Sequence, residues 1–300
     1  MPVCNNKIDI HAHAVRTTFT DLDICHLPSP ESVLARYDQF GIEQGMLLPL
    51  VSAEARNLMS TTEQVMEIVK EYPNRFFFAM GLDPRMMGHS TTADFGKLIE
   101  AYKALGAKAV GEVTGNLYFD DPYYDNMFAQ CAEHAIPVTI HISPELHWSY
   151  GIVDEPGLYR LEKMLKKYPK LKIFGHSTAL WAHMSAGTTV EDMKRYPEPG
   201  KIQKGRLWEL FEKYDNLYGD LSANSAFFAL TRDEEKGLDF LNTFRDKMMF
   251  GCDFCAPWDT GRLAMWLDEK YTEGALSEEV YWKVCRENAV RILQLAESFP

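Results

Sequence analysis

The chain has 300 residues, 46% of them hydrophobic and 25% charged, the composition of an ordinary globular protein with a sizeable buried core. Its formal net charge of −12, from 31 basic and 43 acidic residues, argues against nucleic acid or an anionic membrane as a partner, since both demand a basic face. No apolar run reaches the roughly 18 residues of a membrane span, and the amino terminus lacks a charged segment leading into an apolar one, so the cytoplasm is the expected compartment.

Residues 7–13 (KIDIHAH) alternate with the period of a strand, which predicts Asp9, His11 and His13 on one face and Ile8 and Ile10 on the other. After a turn-rich stretch to Pro30, Val33, Leu34, Tyr37 and Phe40 recur at helical spacing, and Gly41 supplies a helix stop. Short apolar runs at 45–51, 75–81, 107–112, 136–141, 172–176, 217–221 and 248–252 read as further buried strands. Helical stripes fall between them, as in Val65, Ile68, Val69 and Tyr72, or Leu207, Leu210, Phe211 and Tyr214. Two last helices are predicted near 260–270 and 277–295, with Ser277 as an N-cap.

Eight short strands alternating with amphipathic helices predict one (β/α)8 TIM barrel over residues 1–300, because parallel strands covered on both faces need helices outside and side chains within. A doubly wound sheet is the rival, weakened by His-Ala-His where a dinucleotide fold carries a glycine-rich turn. No linker or low-complexity segment divides the chain. The longest irregular stretch, 177–201, follows a strand and is expected over the barrel mouth. Six scattered cysteines fit reduced thiols, and Cys252 and Cys255 lack the second pair of a zinc finger, so that pair reads as structural.

Barrel active sites lie at the carboxyl ends of the strands. There the first strand ends in His11 and His13, the fourth in Glu112, the fifth in His141 and the sixth in His176, while Asp253 follows the eighth. Four imidazoles and two carboxylates suit one or two divalent metal ions, zinc first, with manganese, iron or nickel as alternatives.

The same residues carry a resemblance. Ile-Asp-Ile-His-Ala-His on a first strand, Ile-His on the fifth, Gly-His-Ser on the sixth and Phe-Gly-Cys-Asp-Phe on the eighth resemble the amidohydrolase superfamily, as does the closing Glu-Asn-Ala-Val-Arg-Ile-Leu of 287–293. The branch most similar is the amidohydrolase-related one, which holds metal-dependent hydrolases and enzymes like aminocarboxymuconate-semialdehyde decarboxylase. The resemblance implies His11, His13, His141 and Asp253 as ligands of one ion, and His176 as a ligand or a general acid/base. Glu112 would touch metal where two ions are bridged, and would lie behind the ligands or on the substrate where one is held.

Two reactions follow from that resemblance. The first is hydrolysis of an amide, ester or lactone by a metal-activated water, with Asp253 as proton carrier and His176 assisting. The alternative is non-oxidative decarboxylation of an aromatic or unsaturated carboxylic acid, with His176 or Asp253 protonating carbon. A barrel that binds metal or ligand without turnover is a third reading. Specificity is expected in the loops after the strands, where Arg16, Trp148, Trp181, His183 and Trp258 are the first candidates to touch a small-molecule substrate, ahead of Arg56, His147, Tyr150 and Asn224. Homo-oligomerisation is expected only from the habits of enzymes of this size.

Overall fold

The computed structural model describes residues 4–17, 27–55, 59–256 and 259–296. Short apolar runs become strands that pair in parallel throughout, because each is followed by a helical crossover rather than a tight turn. One sheet takes β1 (Lys7–Ala12), β2 (Ile42–Leu47) and β3 (Phe76–Phe78) in that order. In the other, β4 (Val110–Val113), β5 (Val138–Ser143), β7 (Ile173–His176), β8 (Leu217–Asp220) and β9 (Met248–Met249) lie side by side, and β6 (Ile152–Val153) is a two-residue strand beside β5. Backbone hydrogen bonds cross both seams. Met80 N–H donates to Ala109 O at 2.8 Å, and Ile10 N–H to Phe250 O at 3.1 Å. Without β6, eight parallel strands therefore run around a (β/α)8 barrel.

The helices are terminated by local chemistry. Helix Pro30–Phe40 starts at Ser29, whose side chain accepts from Ser32 N–H, carries Pro30 where no amide proton is needed, and stops at Gly41 (φ +67°), whose N–H returns to Tyr37 O. It buries Val33, Tyr37 and Phe40 toward the strands. Inside the barrel, Ile8, Ile10, Met46, Leu48, Phe174 and Met249 form one apolar cluster, which the last helix, Asn288–Leu293, extends with Ala289, Ile292 and Leu293. Each such aliphatic side chain contributes about 1.5–3 kcal/mol when fully buried.

Four expectations change. On β1 the alternation holds only as far as Ile10: Lys7 and Asp9 face the helices, where Asp9 accepts from Tyr37 Oη at 2.8 Å, while Ile8 and Ile10 face the interior. A register shift between Asp9 and Ala12 then turns His11 inward, so Asp9 and the two histidines do not share a face. The stretch 177–201 is not a plain loop, since it holds two short helices, Thr178–Ala182 and Val190–Met193. Residues 223–243, for which periodicity names no helix, form helices Ala223–Thr231 and Glu234–Thr243. The predicted helix from 277 does begin at Ser277, which caps Val280 N–H, but it passes through a π-helical turn at Lys283–Glu287. Cys4, Cys131, Cys252, Cys255 and Cys285 are free thiols, and Cys25 lies outside the described residues. No helix among the described residues is long and apolar enough to cross a membrane.

Candidate active site

The strand ends converge. His11 and His13 bring their Nε2 atoms to 3.2 Å from each other, and Glu112 Oε2 lies 3.8 and 3.6 Å from them. Asp253 Oδ1 closes the group at 3.7 and 3.5 Å. His141 and His176 are register partners on β5 and β7; His141 Nδ1 meets Glu112 Oε1 at 2.8 Å, and His176 Nε2 stands 3.5 Å from Asp253 Oδ2. All six residues named from the sequence thus meet at one end of the barrel.

Backbone geometry makes this approach possible. Glu112 is held by its N–H to Pro49 O, and the preceding Gly111 (φ +151°) has no space for a side chain, which would fall 2.9 Å from Thr139 Cβ. Asp253 sits at φ +49° with its N–H on His11 O at 2.7 Å. At Gly251 a Cβ would lie 2.9 Å from Asp220 Oδ1, so glycine there lets β9 pass close to β8.

Behind the ring of donors stands a layer that sequence reading misses. His11 Nδ1–H donates to Asp220 Oδ2 at 2.6 Å, and His13 Nδ1–H to Leu48 O at 3.0 Å. Ser222 Oγ bonds His176 Nδ1 at 2.8 Å, while its N–H donates to Asp220 Oδ1. Asp220 is a carboxylate at a strand's carboxyl end, the same signal that singles out Glu112. Cys255, read as structural, donates its thiol to Asp253 Oδ1 at 2.8 Å.

These bonds decide which atoms are free for a cation. A carbonyl only accepts, so the proton of a neutral His13 is on Nδ1 and its Nε2 presents a lone pair; Asp220 imposes the same tautomer on His11. Two lone pairs and two carboxylate oxygens then face one another in a buried space, an arrangement unstable without positive charge. The electrostatics agree. Burial favours the neutral ring, yet the carboxylates of Asp220, Asp253 and Glu112 push His11 up to about 10. Burial likewise opposes ionised Glu112 and Asp253, but the surrounding histidines hold both well below the usual carboxylate range. The donor set therefore fits a divalent ion. His11, His13 and Asp253 form one trio and Glu112, His141 and His176 another, the ligand atoms in each lying within 4.8 Å of one another.

A cleft of about 320 Å³ opens beside this cluster, lined by His141, Trp148, Tyr150, His176, Asn224 and Asp253 among others. Of the five loop residues expected to meet substrate, Trp148 lines it and is 48% exposed. Trp181 does not: it is wholly buried, with Nε1–H on Asp220 O, because the short helix after β7 folds it into the core. His183 is buried too, donating from Nδ1 to Ala179 O and accepting Gly157 N–H at Nε2, and its burial pulls it down to about 4. Arg16 lies on the surface, paired with Glu31 and Glu71. Trp258 and Arg56 fall outside the described residues.

Comparison with known proteins adds the lineage. Residues 8–295 match the family described as Amidohydrolase. No curated protein matches the chain. Among solved structures, it is similar to a 2,6-dihydroxybenzoate decarboxylase from Rhizobium (16% identity, TM-score 0.59, covering 97% of this chain and 99% of that one). It is similar also to a 5-carboxyvanillate decarboxylase from Novosphingobium aromaticivorans with bound manganese (16%, 0.59, 96% and 97%). A third is a probable 2-pyrone-4,6-dicarboxylic acid hydrolase from Acinetobacter baumannii with citric acid bound (16%, 0.58, 97% and 100%). At these identities the likeness is one of fold.

Proposed function

The chain belongs to the amidohydrolase family, and from that membership we propose that it is a metal-dependent hydrolase acting on the carbonyl group of a small molecule. One observation carries the reading. Glu112 turns Oε1 to His141, at 2.8 Å, and Oε2 to the Nε2 atoms of His13 and His11, at 3.6 and 3.8 Å, so a single carboxylate faces both trios. A carboxylate so placed would suit a bridge between two cations, and paired ions are suited to hydrolysis. His11, His13 and Asp253 would hold one ion and His141 and His176 the other, with Glu112 between them. When bound, such ions supply Lewis acidity to a carbonyl and acidify a water.

The chain's own groups then have separate tasks. Asp253, flanked by His176 Nε2 and the Cys255 thiol, takes the proton from water and passes it to the leaving group. Asp220, Leu48 O and Ser222 fix the tautomer or orientation of His11, His13 and His176, which keeps the donor atoms aimed at the site without reorganisation. As to the metal, a divalent transition ion is proposed, with manganese on equal terms with zinc because a similar structure holds it.

Decarboxylation is the second reading, favoured by the several decarboxylases among the similar structures. In that case His176 or Asp253 would deliver a proton to the carbon that loses carbon dioxide. The test is a panel of lactones, esters, amides and aromatic acids offered to metal-loaded protein, with acid release and carbon dioxide followed in parallel. Hydrolysis of at least one carbonyl substrate without carbon dioxide is expected; carbon dioxide release alone would reverse the assignment.

A further inference from the structure

We propose that Arg262 gives this cleft its preference for substrates carrying a carboxylate. The proposal deepens the hydrolytic reading by naming a substrate class for the same site. Arg262 lines the cleft that also exposes Asp253, His141 and His176, and its side chain is open to solvent. It is the one arginine or lysine in that lining among the described residues.

Among the described residues, no carboxylate forms an ion pair with Arg262. This is an acidic protein, and several of its other arginines are engaged by carboxylates: Arg75 by Asp38, Arg85 by Glu54 and Asp83, Arg160 by Asp120 and Glu155, Arg206 by Glu162 and Glu209. Lys194, the nearby cation that approaches Trp148 at 6.0 Å, is held by Glu145 and Glu191. Arg262 instead lies over the face of Phe228, its guanidinium carbon 5.5 Å from the ring centroid. Stacking on a ring orients a guanidinium and leaves its edge N–H donors unspent, which is the fork that matches a planar carboxylate. The two cleft acids do not compete for it. Asp259 Oδ2 accepts Cys255 and Ala256 N–H at 2.8 and 3.0 Å, and Asp253 belongs to the histidine cluster.

The rest of the wall agrees in shape. Trp148 and Tyr196, both about half exposed, line the same cleft and suit a flat body between the reacting carbonyl and the anionic end. A small recess lined by Leu27, Leu50 and Ala55, with His13 and Glu112, shares Tyr150, Asp253 and Cys255 with the cleft. A substrate would then place its scissile carbonyl at Asp253, a small apolar group in the recess, and its carboxylate toward Arg262.

The test uses metal-loaded wild type, Arg262→Gln and Arg262→Lys with two matched esters, phenyl acetate and 4-carboxyphenyl acetate. Wild type is expected to favour the carboxylated ester in kcat/KM by about tenfold, with the ratio near one in Arg262→Gln and partly restored in Arg262→Lys. Equal ratios in wild type and Arg262→Gln would overturn the proposal. If neither ester is cleaved, the hydrolytic reading is what has failed, and calorimetric binding of terephthalate decides for Arg262 separately. About tenfold weaker binding to Arg262→Gln supports the assignment, and unchanged affinity refutes it.

Discussion

The two layers of this barrel mouth are built on opposite principles. At the strand ends, three of the four imidazoles are buried and tied from behind, His11 to Asp220, His13 to Leu48 O and His176 to Ser222, so these donor atoms have little freedom. The rim above is exposed, with Trp148 and Tyr196 about half open and Arg262 resting on the ring of Phe228. The difference separates chemistry from selectivity: a rigid scaffold fixes what reaction is possible, and an adaptable rim chooses the molecule. Changes in the first layer should therefore act on metal content and turnover together, while changes in the second should act on substrate preference alone.

The strongest way to break that division is His11→Ala, which removes a donor atom outright. It should strip most of the metal and the turnover, beyond the roughly 10–100-fold carried by partners behind a ligand. Metal retained in full by that variant would end the assignment. Next comes Asp220→Ala, which leaves every proposed ligand in place but frees the His11 ring; metal affinity should fall roughly 10–100-fold in a chelator competition.

A smaller effect separates the site from a histidine expected in it. His183 is buried and neutral, with its folded pKa near 4 against 6.5 unfolded, so between those values the unfolded chain takes up a proton that the folded one refuses. Stability present above pH 6.5 should be lost as pH falls toward 4, by on the order of 3 kcal/mol for this group. His183→Gln should flatten that part of the denaturation profile while turnover at neutral pH persists; a collapse of turnover would return His183 to the site. Smallest of all is Arg16→Ala, an exposed pair worth under about 1 kcal/mol, for which neither melting temperature nor substrate preference should move appreciably.

The parts legible in the sequence are those that periodicity controls. Eight short apolar runs gave eight strands because a parallel sheet buried on both faces admits little else, and strand ends pointed to His141, His176 and Asp253 because the barrel directs them to one place. Period-two reasoning failed where its premise did: the register shift after Asp9 sends that residue to Tyr37 and His11 to the mouth. Trp181 and His183 were misplaced for a different reason. Residues that follow a strand look like loop, yet the short helix Thr178–Ala182 packs both inward through contacts with Asp220 O, Ala179 O and Gly157 N–H, none of them near in pattern to a signal in the chain. Asp220 is the instructive omission. It met the same criterion as Glu112, a carboxylate closing a strand, but its role depends on a 2.6 Å bond to a residue 209 positions away.

Glu112 bears the central claim, because its two oxygens face the two trios of donors. Wild type and Glu112→Gln, each loaded with manganese or zinc, desalted and analysed for metal per chain, give the most direct measurement. Two ions in the wild type and no more than one in the variant are expected. One ion in both proteins would contradict a bridging carboxylate and the two-ion hydrolytic site built on it.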